Sequence, residues 1–292
     1  MLHATLRQRQ ARPAGLGRAA LVALTLLVVS LGSAPARADD ATAMREGAAL
    51  SQSGRHLEAA ARYEGAAKKG FFSWDAQLAL LAAREYAIAG EPAEAERLAD
   101  KVRGRVRTDE ERALLALVDG RLALERGDAV AAASVLRSAP LSVPNDLAAD
   151  VLALRGRAQI AAGQPVAGLR AYDARRALLP DDAARAANDR ELFDQLLLHP
   201  PAPTAIAEPG LSLQERGWLE LPAAVAGLDA SSGAPLGTAP RGSTLARDWR
   251  QRYPAHPGAA FLPSGPGMAT VAVVGPDAPI AVLLPLSGRQ ES

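Results

Sequence analysis

Beyond residue 38, the side chains with chemistry to offer are three histidines, one serine, some acidic pairs and a row of arginines, and their spacing speaks against catalysis. His56, His199 and His256 stand far apart, with no further ligand at the separation a metal centre requires. Each is expected on the surface or in a linker, and no metal is expected. Ser287 sits in Leu-Ser-Gly without the flanking glycine of a nucleophile elbow, so a turn role is expected for it. Gly265-Pro266-Gly267 has no Lys-Ser/Thr after it and no strand before it, which points to a linker rather than a phosphate loop. Glu110-Glu111 and Asp181-Asp182 fall near expected helix starts, where the positive end of the helix dipole accounts for them. The expectation is a protein with no catalytic residue, no cofactor and no small-molecule ligand.

The arginines are the more regular set. Arg84, Arg121 and Arg157 recur 37 and 36 residues apart, each following a small residue. Guanidiniums at that spacing suit carboxylates, such as those of a partner peptide. The same three side chains also have acids close by in sequence, such as Glu85, Asp119 and Glu125, so local pairing or a solvated face is the competing expectation.

The elements that position them follow from another period. Gly54, Gly90, Gly127 and Gly163 lie 36, 37 and 36 residues apart, each between two Ala/Leu-rich stretches. Seven residues before each glycine, and five after it, stand small residues: Gly47 with Ala59, Ala83 with Ala95, Gly120 with Ala132, Gly156 with Gly168. Small residues at both sites let two antiparallel helices approach closely. The pattern resembles tetratricopeptide repeats over roughly residues 40 to 180. The early helix A position holds Ala43, Ala79, Ala116 and Leu152 rather than a large aromatic, and the unit is two to three residues longer than the usual ~34. A late helix B position holds Tyr63, Ala99, Leu136 and Tyr172, and Pro144 and Pro180 close the last two units.

Residues 1–38 read as an export segment. Arg7, Arg9, Arg12 and Arg18 form a basic stretch, Ala19 to Leu31 an apolar core of 13 residues, and Ala36-Arg37-Ala38 a small-x-small cleavage site. That core is short against the ~20 residues of a membrane-spanning helix. Five of the 33 basic residues and none of the 32 acids lie in residues 1–38, so the rest counts 28 against 32, a net charge of −4. With aromatics at 4% and no basic stripe, nucleic acid is not an expected partner. The chain has no cysteine, hence no disulfide and no lipid-bearing cysteine, so packing alone must stabilise it.

After the repeats, Asp181 to Leu198 reads as a further helix and Pro200 to Gly210 as a linker. Ser212 with Glu215 forms the signature of a capped helix through Gly217-Trp218-Leu219-Glu220-Leu221, and Ser243 is expected to cap a last helix carrying Leu245, Trp249 and Tyr253. Residues 255–278 read as a second linker. Ile280 to Leu286 reads as a buried parallel strand, with Thr270 to Val274 as a short neighbour.

Four phrases in order carry a family resemblance: Asn188-Asp189 ahead of Leu192-Phe193 and Leu196-Leu197, Gly217 to Leu221, Trp249 to Pro257, and Ile280 to Arg289. In them the chain resembles the penicillin-binding protein activators of the LppC family. The resemblance implies an outer-membrane lipoprotein that joins a helical-repeat domain to a domain shaped like a type I periplasmic binding protein. It also implies that the protein stimulates a bifunctional peptidoglycan synthase. This chain departs in lacking the lipidated cysteine and in reaching only the first strand of the second domain, to which the resemblance chiefly assigns synthase contact.

The expectation is therefore an all-α, tetratricopeptide-like superhelix with a C-terminal stub of an α/β domain. Its divisions are residues 1–38, export signal; 39–199, repeats; 200–254, linker and flanking helices; 255–292, linker and first strand. Function is expected to be non-enzymatic activation of a bifunctional penicillin-binding protein in the periplasm or at the outer membrane, with peptidoglycan as a further partner. A periplasmic repeat adaptor with an unrelated protein partner is the alternative. A solute-binding protein is disfavoured, because four residues after the strand cannot build a lobe.

Overall fold

The computed structural model describes residues 34–69, 73–229 and 241–262. Among them are twelve α-helices, one 3₁₀ helix and no strand, which is the all-α architecture expected of the repeats. Residues 1–33 of the export segment, Gly265 to Gly267, Thr270 to Val274, Ile280 to Leu286 and Ser287 lie outside the described residues. The chain forms two compact units, Met1–Val151 and Leu152–Ser292.

The first unit holds α1 (Ala34–Gln52), α2 (His56–Ala67), α3 (Ala76–Ile88), α4 (Pro92–Arg103), α5 (Asp109–Glu125) and α6 (Ala129–Arg137). Helix α7 (Asn145–Ala161) straddles the boundary. The second unit adds α8 (Pro165–Leu178), α9 (Asp182–Leu198), α10 (Pro203–Ile206), α11 (Leu213–Asp229), α12 (Arg241–Arg252) and the 3₁₀ helix Pro257–Phe261.

All four periodic glycines end a first helix in the same way. Gly54, Gly90, Gly127 and Gly163 have φ of 77, 82, 78 and 74°, the left-handed region that a Cβ disfavours. The residue after each donates its N–H five residues back, to the carbonyls of Leu50, Tyr86, Ala123 and Gln159. This is the Schellman closure, and the donating residue is also the N-cap of the next helix. One glycine therefore turns the chain by a full antiparallel reversal in every repeat. Helix starts are equally local: Thr108 and Glu111 form a reciprocal capping box on α5, Asp181 accepts from the Ala184 N–H on α9, and Pro92 and Pro165 open α4 and α8. The acidic pairs at 110–111 and 181–182 thus each contribute a cap.

The small residues do make room for a close helix pair, and the glycines of the first helices also receive a large side chain that the expected pairs did not include. A Cβ built on Gly47 would lie 2.4 Å from the Tyr63 ring, one on Gly120 2.7 Å from Leu136 Cγ, and one on Gly156 2.7 Å from the Tyr172 ring. The side chain that fills the space at Gly120 is thus Leu136, sixteen residues on. The pairs complement in volume: glycine faces Tyr63, Leu136 or Tyr172, while in the second repeat Ala83 stands sixteen residues from Ala99 and both are fully buried. In the fourth repeat the expected pair Gly156 and Gly168 does meet, since a Cβ on Gly168 would come 2.7 Å from the Gly156 carbonyl.

The second unit departs from the expected divisions at 199 and 254. Ile160, Val166, Leu169 and Tyr172 of the fourth repeat share one core with Leu192, Trp218, Trp249 and Leu262. The proline-rich stretch contains α10, with Ile206 and Leu211 packed against that core. The expected second linker begins as a 3₁₀ turn, and Leu262 at its end is buried. Helix α12 begins at Arg241, so Ser243 stands within its first turn rather than at its cap.

Candidate functional site

The three periodic arginines occupy equivalent helix A positions but different surroundings. Arg84 on α3 donates to Asp150 on α7 at 2.6 Å and stands 4.0 Å from Glu85. It thus ties helix A of the second repeat to helix A of the fourth. Leu80, Leu114 and Leu117 on the neighbouring positions of α3 and α5 are buried as well. Arg121 lies half-buried on α5. Arg157 on α7 donates to Glu191 Oε1 on α9 at 2.9 Å.

Glu191 is the centre of a larger cluster. Its Oε1 also accepts from the Tyr172 hydroxyl at 3.1 Å, and its Oε2 accepts from Arg175 at 2.7 Å. Burial opposes the Glu191 charge, but hydrogen bonds and charge from Arg157 and Arg175 outweigh it and hold the carboxyl below the usual glutamate value. Burial, then the Glu191 charge, pushes the Tyr172 phenol well up, so it stays a donor. Two guanidiniums meet one carboxylate here, and Nε of both Arg157 and Arg175 is buried without a hydrogen-bond partner. The cluster is built to hold carboxylate oxygen and has no nucleophile in it.

A second buried carboxylate sits in the first unit. Glu85 is 1% exposed and meets His56 Nδ1 at 2.7 Å. The corresponding positions of the other repeats are Ala49, Leu122 and Ala158, so this charge belongs to one repeat interface alone. His56 therefore lies at a helix interface, half-buried, with its ring turned to Glu85. Among the described residues no group of three or more His, Cys, Asp or Glu is placed to hold a metal ion.

His256 is likewise no linker residue. It is buried between Trp218 and Trp249, with both rings edge-on at centroid distances of 4.9 and 5.1 Å. Its Nε2 faces the Gln214 carbonyl at 3.0 Å and its Nδ1 accepts from the Gly258 N–H at 2.9 Å. The Trp249 indole donates to the Gly217 carbonyl, and Gly217 has no room for a Cβ because the His256 ring lies 2.7 Å from where it would be. Phe193 stacks on Phe261 at 4.6 Å. Three of the four ordered phrases, at 188–197, 217–221 and 249–257, thus pack into a single aromatic node, and the fourth lies outside the described residues.

The sequence did not single out Arg175, Glu191 or Tyr172 as partners. A signal existed in the sixteen-residue offset, which relates Arg175 to Glu191 and Arg103 to Asp119 as it relates Gly156 to Tyr172.

No protein-family model matches the chain, and no curated protein matches it. Among solved structures the chain is similar to the amino-terminal domain of E. coli LpoA, with 21% sequence identity over 69% of this chain and 92% of that one, at a TM-score of 0.43. Among the described residues no helix is long and apolar enough to cross a membrane.

Proposed function

We propose that this chain is the helical-repeat part of a non-enzymatic envelope regulator that binds a bifunctional penicillin-binding protein and raises its peptidoglycan synthesis. The observation that carries this reading is the aromatic node. Four phrases resemble one family in order, and the three of them that lie among the described residues meet in one core through Trp218, Trp249 and His256. A chance likeness of short phrases has no reason to select residues that touch. The basic stretch, apolar core and Ala36-Arg37-Ala38 support an exported protein at the site of peptidoglycan synthesis.

On this reading Arg84, Arg121 and Arg157 contact carboxylates of the synthase or of peptidoglycan stem peptides. Side chains of Arg84 and Arg157 keep 28% and 39% of their exposure while Asp150 and Glu191 hold them in place, so each presents an already oriented guanidinium face. Biolayer interferometry of the purified protein on an immobilised synthase tests this. Binding that weakens on Arg121→Glu supports both parts. Binding unaffected by Arg84→Glu, Arg121→Glu and Arg157→Glu removes the arginines from the interface, and a complete lack of binding favours an adaptor for another partner.

A further inference from the structure

We propose that His256 is a pH-operated clamp on the end of the second unit, closed when the imidazole is neutral and released when it takes up a proton. The geometry allows only one protonation state. Nδ1 must carry a lone pair to accept from the Gly258 N–H, and Nε2 must carry the hydrogen to donate to the Gln214 carbonyl. The neutral Nε2–H tautomer satisfies both ring nitrogens. A proton added at Nδ1 sets N–H against N–H, so the bond that caps the Pro257–Phe261 turn is lost.

The surroundings sharpen the effect. The ring is held between Trp218 and Trp249 and beside Tyr253, with no room left by Gly217 or Gly258, where an added Cβ would meet it at 2.7 and 2.8 Å. It cannot turn aside to keep a charged form hydrated. From α11 it faces the neutral Gln214 carbonyl, from the residue just after α12 the Tyr253 ring, and from the 3₁₀ turn the Gly258 N–H. From α9 the field of the Asp189 carboxylate reaches it and favours the imidazolium, while Arg176 pairs with that carboxylate. Burial outweighs this field and holds the imidazole below the ordinary value of 6.5.

Release has a defined consequence. The 3₁₀ turn carries Phe261, which stacks on Phe193 of α9, and Leu262, whose carbonyl accepts from Arg250. Freeing the Gly258 cap detaches this turn from α9 and loosens the packing of α11 on α12, leaving the helices themselves intact. The device needs no partner and does not depend on the proposed function.

Nitrogen-detected NMR of the full chain and a pH titration test it. At pH 7.5 His256 should show the neutral Nε2–H tautomer. Lowering the pH to 4.5 should reversibly reduce the near-ultraviolet dichroism of the tryptophans, with a midpoint below 6.5, and speed hydrogen exchange at 249–262. His256→Asn, whose side-chain oxygen can accept from Gly258 but does not titrate, should lose that transition. Asp189→Asn should move the midpoint lower still. An imidazolium or Nδ1–H tautomer at pH 7.5 overturns the proposal whether or not the variants fold. A flat titration, or an unchanged transition in His256→Asn, overturns it equally.

Discussion

Gly120 and Leu136 share one volume: the Cβ that Gly120 lacks would fall 2.7 Å from Leu136 Cγ. Leu136 is fully buried, so no solvent-side rotamer relieves the overlap. Gly120→Leu should destabilise the protein by at least about 1–3 kcal/mol in urea unfolding. In a double-mutant cycle, Gly120→Ala and Leu136→Ala should couple favourably by about 0.5–3 kcal/mol, because the second change opens the space that the first one fills. Additive effects would mean that the two helices do not meet at this register.

The turn glycines test the repeat boundaries separately. Nothing lies within 4 Å of a Cβ on Gly90, so Gly90→Ala meets no clash, yet φ of 82° should make it cost about 1–2 kcal/mol. Gly65 is exposed within α2 with equal space and an ordinary helical backbone. Gly65→Ala should therefore stabilise by about 0.5–1 kcal/mol. The opposite signs of two identical substitutions are readable from thermal melts.

At the Glu85–His56 contact, removing one partner should cost more than removing both. His56→Ala leaves a carboxylate that is 1% exposed with less compensation, and should destabilise by about 1–3 kcal/mol. Adding Glu85→Leu should recover most of that loss, since leucine already stands at the same repeat position as Leu122.

Glu191 sets the acid limit of the second unit's arginine cluster. Its folded-state value lies below the unfolded 4.5, so it stabilises fully at neutral pH, and that contribution disappears as pH falls from about 4.5 through the folded value. Glu191→Gln should lower stability at pH 7 by about 1.5–3 kcal/mol and flatten this part of the profile. His256 acts in the same direction at higher pH: its depressed value means that the unfolded chain binds the proton first, so stability falls as pH drops below 6.5. Urea unfolding at intervals from pH 8 to 3.5 should resolve both losses.

The repeat boundaries were legible because a left-handed turn tolerates few residues, so Gly54, Gly90, Gly127 and Gly163 mark them without knowledge of the neighbours. Caps such as Thr108 with Glu111 and Ser212 with Glu215 are equally local, each spanning three residues. The partners of the small residues were less legible, because the offset between two packed helices depends on their axial shift and not on the turn alone. His56 and His256 were misjudged for a related reason. A histidine's burial depends on which carbonyl, carboxylate or ring the fold brings to it, and Gln214 is 42 residues from His256 while Glu85 is 29 from His56. The three phrases could be read as a likeness, but not that they form one node.

Activation of a synthase is the central claim, and the rates of glycan polymerisation and peptide cross-linking by a purified bifunctional penicillin-binding protein test it most directly. The full gene product, added at saturating concentration, should bind the enzyme and raise at least one of the two rates while showing neither activity alone. A folded protein that neither binds the synthase nor changes either rate would contradict the account.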